Sequence, residues 1–202
     1  MLLHHFISLN QSMLQLDQDL FYFINHNLHF GILNKWMPYW RSMYFWFPLY
    51  IFFISFLFYN FGKKASIYLL ALSLTVGVAD TVSSRLIKNT VERVRPCNDE
   101  KEKMHVRLLV PCGSGYSFTS SHATNHFAIA VFVIFTFVEK RKWLKWSLLA
   151  WAASIAFGQV YVGVHYPLDI ICGALLGSGL GWLGAFLFEK YFKKYSLITE
   201  GV

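Results

Sequence analysis

The stretch YFWFPLYIFFISFLFYNF, residues 44–61, decides the class of this protein, because it runs without a single charged residue. A helix needs about 20 mostly apolar residues to cross a bilayer. Four further segments are similarly apolar: Ala65 to about Ile87, Ala123–Val138, Trp146 to about Val164, and Leu168–Phe188. We therefore expect an all-α, polytopic membrane helix bundle with about five transmembrane helices.

The composition of the chain agrees with this expectation. Of its 202 residues, 55% are hydrophobic and only 14% are charged, whereas soluble domains carry about 25% charged residues. The 20 Phe residues cannot all be hidden in one soluble core of this size. These figures exclude a disordered chain, a disulfide-dense secreted miniprotein and an ordinary soluble enzyme.

The formal net charge of +7 is distributed unevenly along the chain. Three basic segments, 62–64, 139–145 and 189–194, hold nine of the 18 Lys and Arg residues and fall on one side of a five-span bundle. The positive-inside rule makes that side cytoplasmic. We therefore expect a multi-pass protein of the plasma (inner) membrane whose site faces the outer, periplasmic or extracellular side. The same distribution disfavours a nucleic-acid partner, and it indicates no oligomeric state.

The N-terminal residues 1–43 are predicted to form an interfacial region. Within it, Asp17 to about Phe30 is amphipathic. Its apolar side carries Leu20, Phe21, Phe23, Ile24 and Leu28, and its polar side carries Asp17, Asp19, Asn25 and His26. We expect an interfacial helix on the outer surface, with a sixth, short span as the alternative. The chain then forms a single domain, 1–202, with a transmembrane core at 44–188 and a cytoplasmic tail at 189–202.

Ionisable residues at membrane depth are costly and usually functional, and a first cluster of them surrounds Lys88. Lys88 and Arg95 are seven residues apart, so on one helix they share a face, which Asp80 and Ser84 extend. Pro96 is expected to end that helix directly after Arg95. Two cations on one face make a clamp for a dianion such as phosphate, with Asp80 and Ser84 as supporting neighbours. Snorkelling of the cations to lipid headgroups is the alternative.

A second cluster precedes the third span. Ser120 and Ser121 stand before an apolar helical run, where Ser and Thr act as N-caps. A helix N-terminus is an anion site, and His122 at that start could transfer a proton. A plain cap with a surface histidine is the alternative. His126, one turn further on, is expected to be a packed or hydrogen-bonded helix residue.

A third cluster lies between the last two spans. His165 and Asp169 are four residues apart around Pro167. A carboxylate that orients one imidazole nitrogen raises the nucleophilicity of the other. The alternative is a proline turn with Asp169 as the N-cap of the following helix. That helix is rich in glycine, which predicts close helix packing.

The three clusters together resemble a known family. Lys-x6-Arg-Pro, then Ser-x-His at a helix start, then His-x3-Asp, in this order and at one face, is similar to the type 2 phosphatidic-acid phosphatases. Their superfamily also includes soluble vanadium haloperoxidases, which the apolar spans disfavour here. The resemblance covers roughly Ala79 to Cys172.

The resemblance implies a role for each matching residue. His165 is the nucleophile that accepts the phosphoryl group, Asp169 orients it, and His122 protonates the leaving group. The phosphoryl oxygens are expected to be bound by Lys88, Arg95, Ser120, Ser121 and Gln159. The family needs neither a metal nor another cofactor, and the sequence has no cluster with metal-ligand spacing.

Two departures from the family pattern are visible. Thr119-Ser120-Ser121-His122 stands where the family usually has Pro-Ser-Gly-His, and Gly158-Gln159 stands where it usually has Ser-Arg. The second change removes a cationic phosphate ligand, a loss worth on the order of 1.5–3 kcal/mol. The candidate replacements are Arg85, Arg93 and Arg107. Cys97 and Cys112 flank the outward loop, where a disulfide and two separate thiols remain open alternatives.

The resulting hypothesis is a metal-independent membrane lipid phosphatase that acts at the outer leaflet through a phosphohistidine intermediate. Its expected partners are membrane lipids and a phospholipid or polyprenyl phosphate substrate, with a polyprenyl pyrophosphate first and phosphatidylglycerol phosphate, phosphatidic acid and lipid A phosphate behind it. The alternative is a catalytically degenerate member that binds lipid phosphate or serves as a membrane partner, because Gln159 replaces the arginine. A small transporter that uses Asp80 and Arg85 has weaker support.

Overall fold

The computed structural model of the protein describes residues 2–28, 30–100, 105–138 and 140–197. The end of the predicted tail, 198–202, and Glu139 of the basic segment 139–145 lie outside the described residues. Eight α-helices are present in the described part: α1 (Leu2–Tyr22), α2 (Gly31–Trp40), α3 (Met43–Phe61), α4 (Lys63–Thr81), α5 (Lys88–Val91), α6 (Ser121–Thr136), α7 (Lys142–Tyr161) and α8 (Pro167–Tyr191). Single π-helical turns follow α1 (Phe23–Asn27) and α4 (Val82–Ile87).

The all-helical membrane fold is confirmed. Among the residues that the structure describes, three helical stretches are long and apolar enough to cross a membrane: Met43–Phe61, Lys63–Val91 and Pro167–Tyr191. The stretch Lys63–Val91 is α4, its π-turn and α5 in continuous succession. The predicted boundaries of all five apolar segments agree with α-helices to within a few residues, while the total of five spans stays a prediction.

The core of the bundle is the contact between α6 and α8. Gly173, Gly177 and Gly181 follow one stripe of α8, and a methyl group on any of them would collide with the backbone of α6. At Gly173, for example, the added carbon would lie 2.8 Å from the carbonyl oxygen of Ser120. Small residues at every fourth position therefore bring the two backbones into direct contact, as the glycine-rich sequence predicted.

The predicted helix through Lys88 and Arg95 is wrong. The helix ends at Val91, because Glu92 takes a left-handed conformation with φ 51°. Arg95 is extended, with φ −71° and ψ 150°, as expected for a residue before proline. Pro96 therefore begins a short 3₁₀ turn instead of ending a helix. The π-turn before Lys88 also shifts the helical register, so Asp80 and Lys88 are no longer related by plain α-helical spacing.

The predicted orientation of the N-terminal segment is wrong in one respect. Asp17, Phe21 and Asn25 form one buried face that packs against the bundle, whereas Leu20 and Phe23 are exposed. The side chain of Asn25 donates to the carbonyls of Arg107 and Tyr161. Polar residues of this segment thus face inward because they satisfy backbone groups there. Whether the segment lies on or crosses the membrane stays a prediction.

The loop between α5 and α6 is braced by covalent and backbone links. Cys97 and Cys112 form a disulfide, which resolves the two alternatives left by the sequence. The amide of Leu109 donates to the carbonyl of Val162 at 3.2 Å, which ties the loop to the end of α7. The loop is therefore fixed over the turn that carries His165.

Candidate active site

The centre of the site is the pair His165 and Asp169 at the junction of α7 and α8. Gly163 makes the turn possible, because it has φ 88° and an added methyl carbon would lie 2.9 Å from the carbonyl oxygen of Arg107. Asp169 is the third residue of α8 and accepts the amide of Tyr166 at 2.9 Å in a capping box. The same carboxylate oxygen lies 3.3 Å from Nδ1 of His165. Asp169 is thus not the N-cap itself, and its capping and orienting contacts coexist.

The second ring nitrogen of His165 faces a cation. Nη1 of Arg95 lies 3.2 Å from Nε2 of His165 and donates to the carbonyl of Val164 at 3.1 Å. Burial lowers the pKa of His165 to about 4, and the charge of Arg95 acts in the same direction although Asp169 opposes both. The imidazole is therefore neutral at pH 7, with a proton on Nδ1 directed at Asp169 and a lone pair on Nε2. This is the state that a nucleophile requires.

The start of α6 lies against this pair. Ser120 is the N-cap of α6, accepting the amide of Ala123 at 3.4 Å, and its own amide donates to the carbonyl of Asp169 at 3.0 Å. The hydroxyl of Ser121 lies 3.1 Å from that of Ser83 on the π-turn after α4. These contacts join the start of α6 to α8 and to the π-turn, and they place an anion-favouring helix N-terminus next to the pair His165 and Asp169.

His122 and Lys88 complete the group that the sequence predicted. His122 is half-buried and lies within electrostatic range of His165, Lys88 and Arg41. Lys88 interacts electrostatically with Arg95 and with Asp169. Despite the broken helix, Arg95 contacts His165, and Lys88 and His122 interact electrostatically with the same group of residues.

Of the two predicted supporting residues, Asp80 binds α6 and Ser84 contacts Asp80. Asp80 accepts from Nδ2 of Asn125 at 2.9 Å, and the hydroxyl of Ser84 lies 3.5 Å from the same carboxyl group. Asp80 also acts on the charge of Lys88 through space. His126 is buried and its Nδ1 donates to the carbonyl of His122 at 2.8 Å, which confirms the expectation of a hydrogen-bonded helix histidine.

The guanidinium that binds Gln159 belongs to none of the predicted replacement arginines. Gln159 is fully buried, and its carbonyl oxygen accepts from Nε and Nη2 of Arg41 at 3.0 and 2.8 Å. Arg41 follows the last residue of α2 and is within electrostatic range of Arg95 and His122. Gln159 therefore faces a guanidinium and does not itself turn toward the substrate space. A lone arginine between Trp40 and the first apolar span was the available sequence signal.

The three predicted replacements lie elsewhere. Arg85 and Arg107 are exposed. Arg93 is engaged by two carboxylates, because Nη1 donates to Asp169 at 2.8 Å and Nη2 donates to Asp17. Burial is the largest single influence and lowers the pKa of Arg93, but the two carboxylates together outweigh it, so the pKa is raised. Arg93 thus binds the orienting carboxylate from behind.

Asp17 extends this arrangement into the N-terminal helix. Its second oxygen accepts the amide of Leu168 at 2.7 Å, at the N-terminus of α8. The guanidinium of Arg93 also stacks over the ring of Tyr166, with 4.0 Å between Cζ and the ring centre. The prediction that Asp17 lies on the polar side of an amphipathic helix does not foresee its burial, which links the first helix of the chain to Asp169 through Arg93.

The family is established by comparison with known proteins. The model of the PAP2 superfamily matches residues 64–193, so this chain belongs to that family. The match contains every residue of the three sequence clusters and leaves out Asp17 and Arg41.

Individual relatives extend the similarity beyond that range. A lipid A 4'-phosphatase of Bacteroides thetaiotaomicron is 32% identical over 178 residues, covering 87% of this chain and 78% of that protein. An undecaprenyl-diphosphatase of Sulfolobus acidocaldarius is 42% identical over 77 residues, covering 38% of this chain and 35% of that protein. The crystal structure of Aquifex aeolicus LpxE superposes with a TM-score of 0.63 at 28% identity, covering 84% of this chain and 94% of that chain. This chain is accordingly a membrane phosphatase of the PAP2 family.

Proposed function

We propose that this protein hydrolyses a phosphate ester of lipid A, without a metal ion and through a phosphohistidine on His165. The observation that carries the chemistry is His165 itself, a buried neutral imidazole held between the carboxylate of Asp169 and the guanidinium of Arg95. One nitrogen is oriented and the other faces a cation that can bind phosphoryl oxygens. That is the geometry of an activated nucleophile beside an anion site.

The reaction follows from these positions. Nε2 of His165 attacks phosphorus, and the bond between phosphorus and the lipid oxygen breaks. His122 takes up a proton when the phosphate anion binds beside it, gives this proton to the departing oxygen, and then accepts one from the water that hydrolyses the phosphohistidine. Lys88 and Arg95, with the amides at the start of α6, bind the phosphoryl oxygens, because phosphoryl transfer depends on positioning and charge stabilisation.

The choice of lipid A is supported by how far the relatives match. The similarity to the lipid A 4'-phosphatase extends over 87% of this chain, which includes residues beyond the PAP2 match. A polyprenyl pyrophosphate, the first expectation from the sequence, is the second candidate. It is favoured by the undecaprenyl-diphosphatase, whose similarity covers 38% of the chain.

A substrate panel tests the proposal. Purified protein in detergent, with a chelator present, should release phosphate from lipid A faster than from undecaprenyl pyrophosphate or phosphatidic acid. His165→Ala and His122→Ala should abolish this release, while His105→Ala, at an exposed histidine outside the site, should leave it unchanged. Full activity of His165→Ala would contradict the assigned nucleophile, and preference for the polyprenyl substrate would replace lipid A by the second candidate.

The orientation is part of the same proposal. The disulfide between Cys97 and Cys112 suits an oxidising exterior, and the basic loops suit the cytoplasm. In a Cys172→Ser background, Leu108→Cys should react with a membrane-impermeant maleimide on whole cells, while Lys142→Cys should react only after lysis. The opposite pattern would place the site on the cytoplasmic side.

A further inference from the structure

The cation missing from the family pattern has a counterpart at the other end of the sequence. Nε and Nη2 of Arg41 both donate to the carbonyl oxygen of Gln159, at 3.0 and 2.8 Å. A fork of two hydrogen bonds to one fixed acceptor sets the position of the guanidinium. Gln159 is itself fully buried and lies one turn before the α7–α8 junction that carries His165. Its backbone carbonyl accepts the amide of Val164, the residue before His165.

The neighbouring departure, Gly158, lies against Arg41. A methyl carbon on Gly158 would lie 3.4 Å from both Cβ of Arg41 and Sδ of Met37, so α2 and the residue after it pack directly on α7 here. The indole of Trp40 donates to the hydroxyl of Ser154 at 2.9 Å and fixes the same junction. Gly158 and Gln159 thus form a seat for Arg41 on α7, where Gly158 packs near its Cβ and Gln159 binds its guanidinium.

The charge of Arg41 acts on two residues of the candidate site, Arg95 and His122. Within the described part of the chain, Arg41 has no carboxylate at ion-pair distance, yet it lies in range of Arg95 and His122. Burial, together with the charge of Arg95, lowers the pKa of Arg41 to about 10, so the guanidinium is charged at pH 7. Partly desolvated cations that face one another without a counter-ion are balanced when an anion binds between them.

We propose that Arg41 is a third phosphate-binding cation of this enzyme, contacting the phosphoryl group together with Lys88 and Arg95, and that Gly158 and Gln159 position it. The charge that the family usually supplies at position 159 is here supplied from the N-terminal segment, through the seat on α7. The identity of the bound group as the phosphate of a lipid substrate rests on the proposed function. The inference that Arg41 binds an anion rests on the geometry alone.

The test measures the binding of orthovanadate, a phosphate mimic, by calorimetry on the purified full-length protein, next to lipid phosphate hydrolysis. Arg41→Gln keeps hydrogen-bonding groups but removes the charge, and it should weaken orthovanadate binding and kcat/KM by about 10- to 100-fold. Arg41→Lys should retain most of both. Arg85→Ala, at an exposed arginine, is the matched control and should change neither.

A swap of the charge separates phosphate binding from a purely structural role. The double variant Arg41→Ala/Gln159→Arg should recover most of the orthovanadate affinity that Arg41→Ala loses, because the cation returns to the position usual in the family. Arg41→Gln that binds orthovanadate as tightly as the wild type would overturn the inference. So would a loss that the double variant does not recover, or a wild-type protein that binds no orthovanadate.

The two proposals fail in different ways. If the wild type binds orthovanadate through Arg41 but hydrolyses no lipid phosphate, the proposed function is wrong and the anion site stands. If the wild type hydrolyses lipid A and Arg41→Gln leaves both kcat/KM and orthovanadate binding unchanged, the function stands and the role of Arg41 is wrong.

Discussion

A methyl group at Gly177 should separate the two helices that carry the site. A carbon added there would lie 2.8 Å from the carbonyl carbon of Thr124 on α6, and closer still to its oxygen, whereas ordinary contacts begin at 3.4 Å. The helices must therefore part by at least about 0.6 Å. Since α6 carries His122 and α8 carries Asp169, this movement widens the site itself.

The size of the effect follows from that displacement. A misplacement of about 1 Å in a catalytic arrangement costs on the order of 100-fold in rate, so we expect Gly177→Ala to lower kcat by about ten- to a hundredfold. Overpacking costs about 1–3 kcal/mol, which exceeds the 0.5–1 kcal/mol that alanine gains over glycine within a helix. The melting temperature should therefore fall as well.

The matched control lies two residues further along the same helix. Gly179 has no atom within 4 Å of an added methyl carbon, so Gly179→Ala should keep full activity and equal or higher stability. Phosphate release in detergent and thermal unfolding are measured for both variants. Equal activity and equal melting temperatures of Gly177→Ala and Gly179→Ala would refute the view that the backbone contact of α6 and α8 sets the site.

Three further predictions concern the surroundings of the nucleophile. Asp17→Asn removes a buried charge that binds Arg93 behind Asp169, so kcat should fall by about tenfold for the lost charged hydrogen bond. Asp19→Asn, at an exposed position, should leave kcat unchanged. Equal kcat values for the two variants would contradict this role of Asp17. Because burial lowers the pKa of His165 to about 4, an NMR titration should find its imidazole neutral from pH 8 to pH 5, and titration near pH 6.5 would contradict this. The contribution of the neutral imidazole to the free energy of unfolding is present above pH 6.5 and should be lost as the pH falls from 6.5 toward 4. Reduction of the disulfide Cys97–Cys112, or replacement of both residues by Ser, opens a loop of 15 residues. Closing such a loop stabilises the folded state by about 3 kcal/mol, so the unfolding temperature should drop. An unchanged unfolding temperature would contradict a bracing role of the disulfide.

The apolar segments and the order of the three clusters were predictable from the sequence because both are local signals. Uninterrupted apolar runs fix helices within a few residues of their observed bounds. Ser120 as an N-cap and the pair His165 and Asp169 at a helix start depend on neighbours within four residues. Such local spacings predict the same local structure whatever the tertiary arrangement of the helices.

The parts that the sequence did not predict depend on distant contacts. Arg41 and Gln159 are separated by 118 residues, and nothing near either one marks the other. The sequence places Asp17 on the polar side of an amphipathic helix, and a carboxylate there usually faces water, but its ion pair with Arg93 reverses this preference. The helix through Lys88 was extended too far because the left-handed Glu92 has no distinctive local signal.

The central claim is that His165 accepts the phosphoryl group, and trapping that intermediate tests it most directly. Protein incubated with lipid A labelled in its phosphate is quenched in alkali, which preserves phosphohistidine, and its peptides are analysed by mass spectrometry. We expect the label on the peptide that contains His165 and none in His165→Ala. Steady phosphate release with no label on His165, or the same labelling in His165→Ala, would contradict the claim.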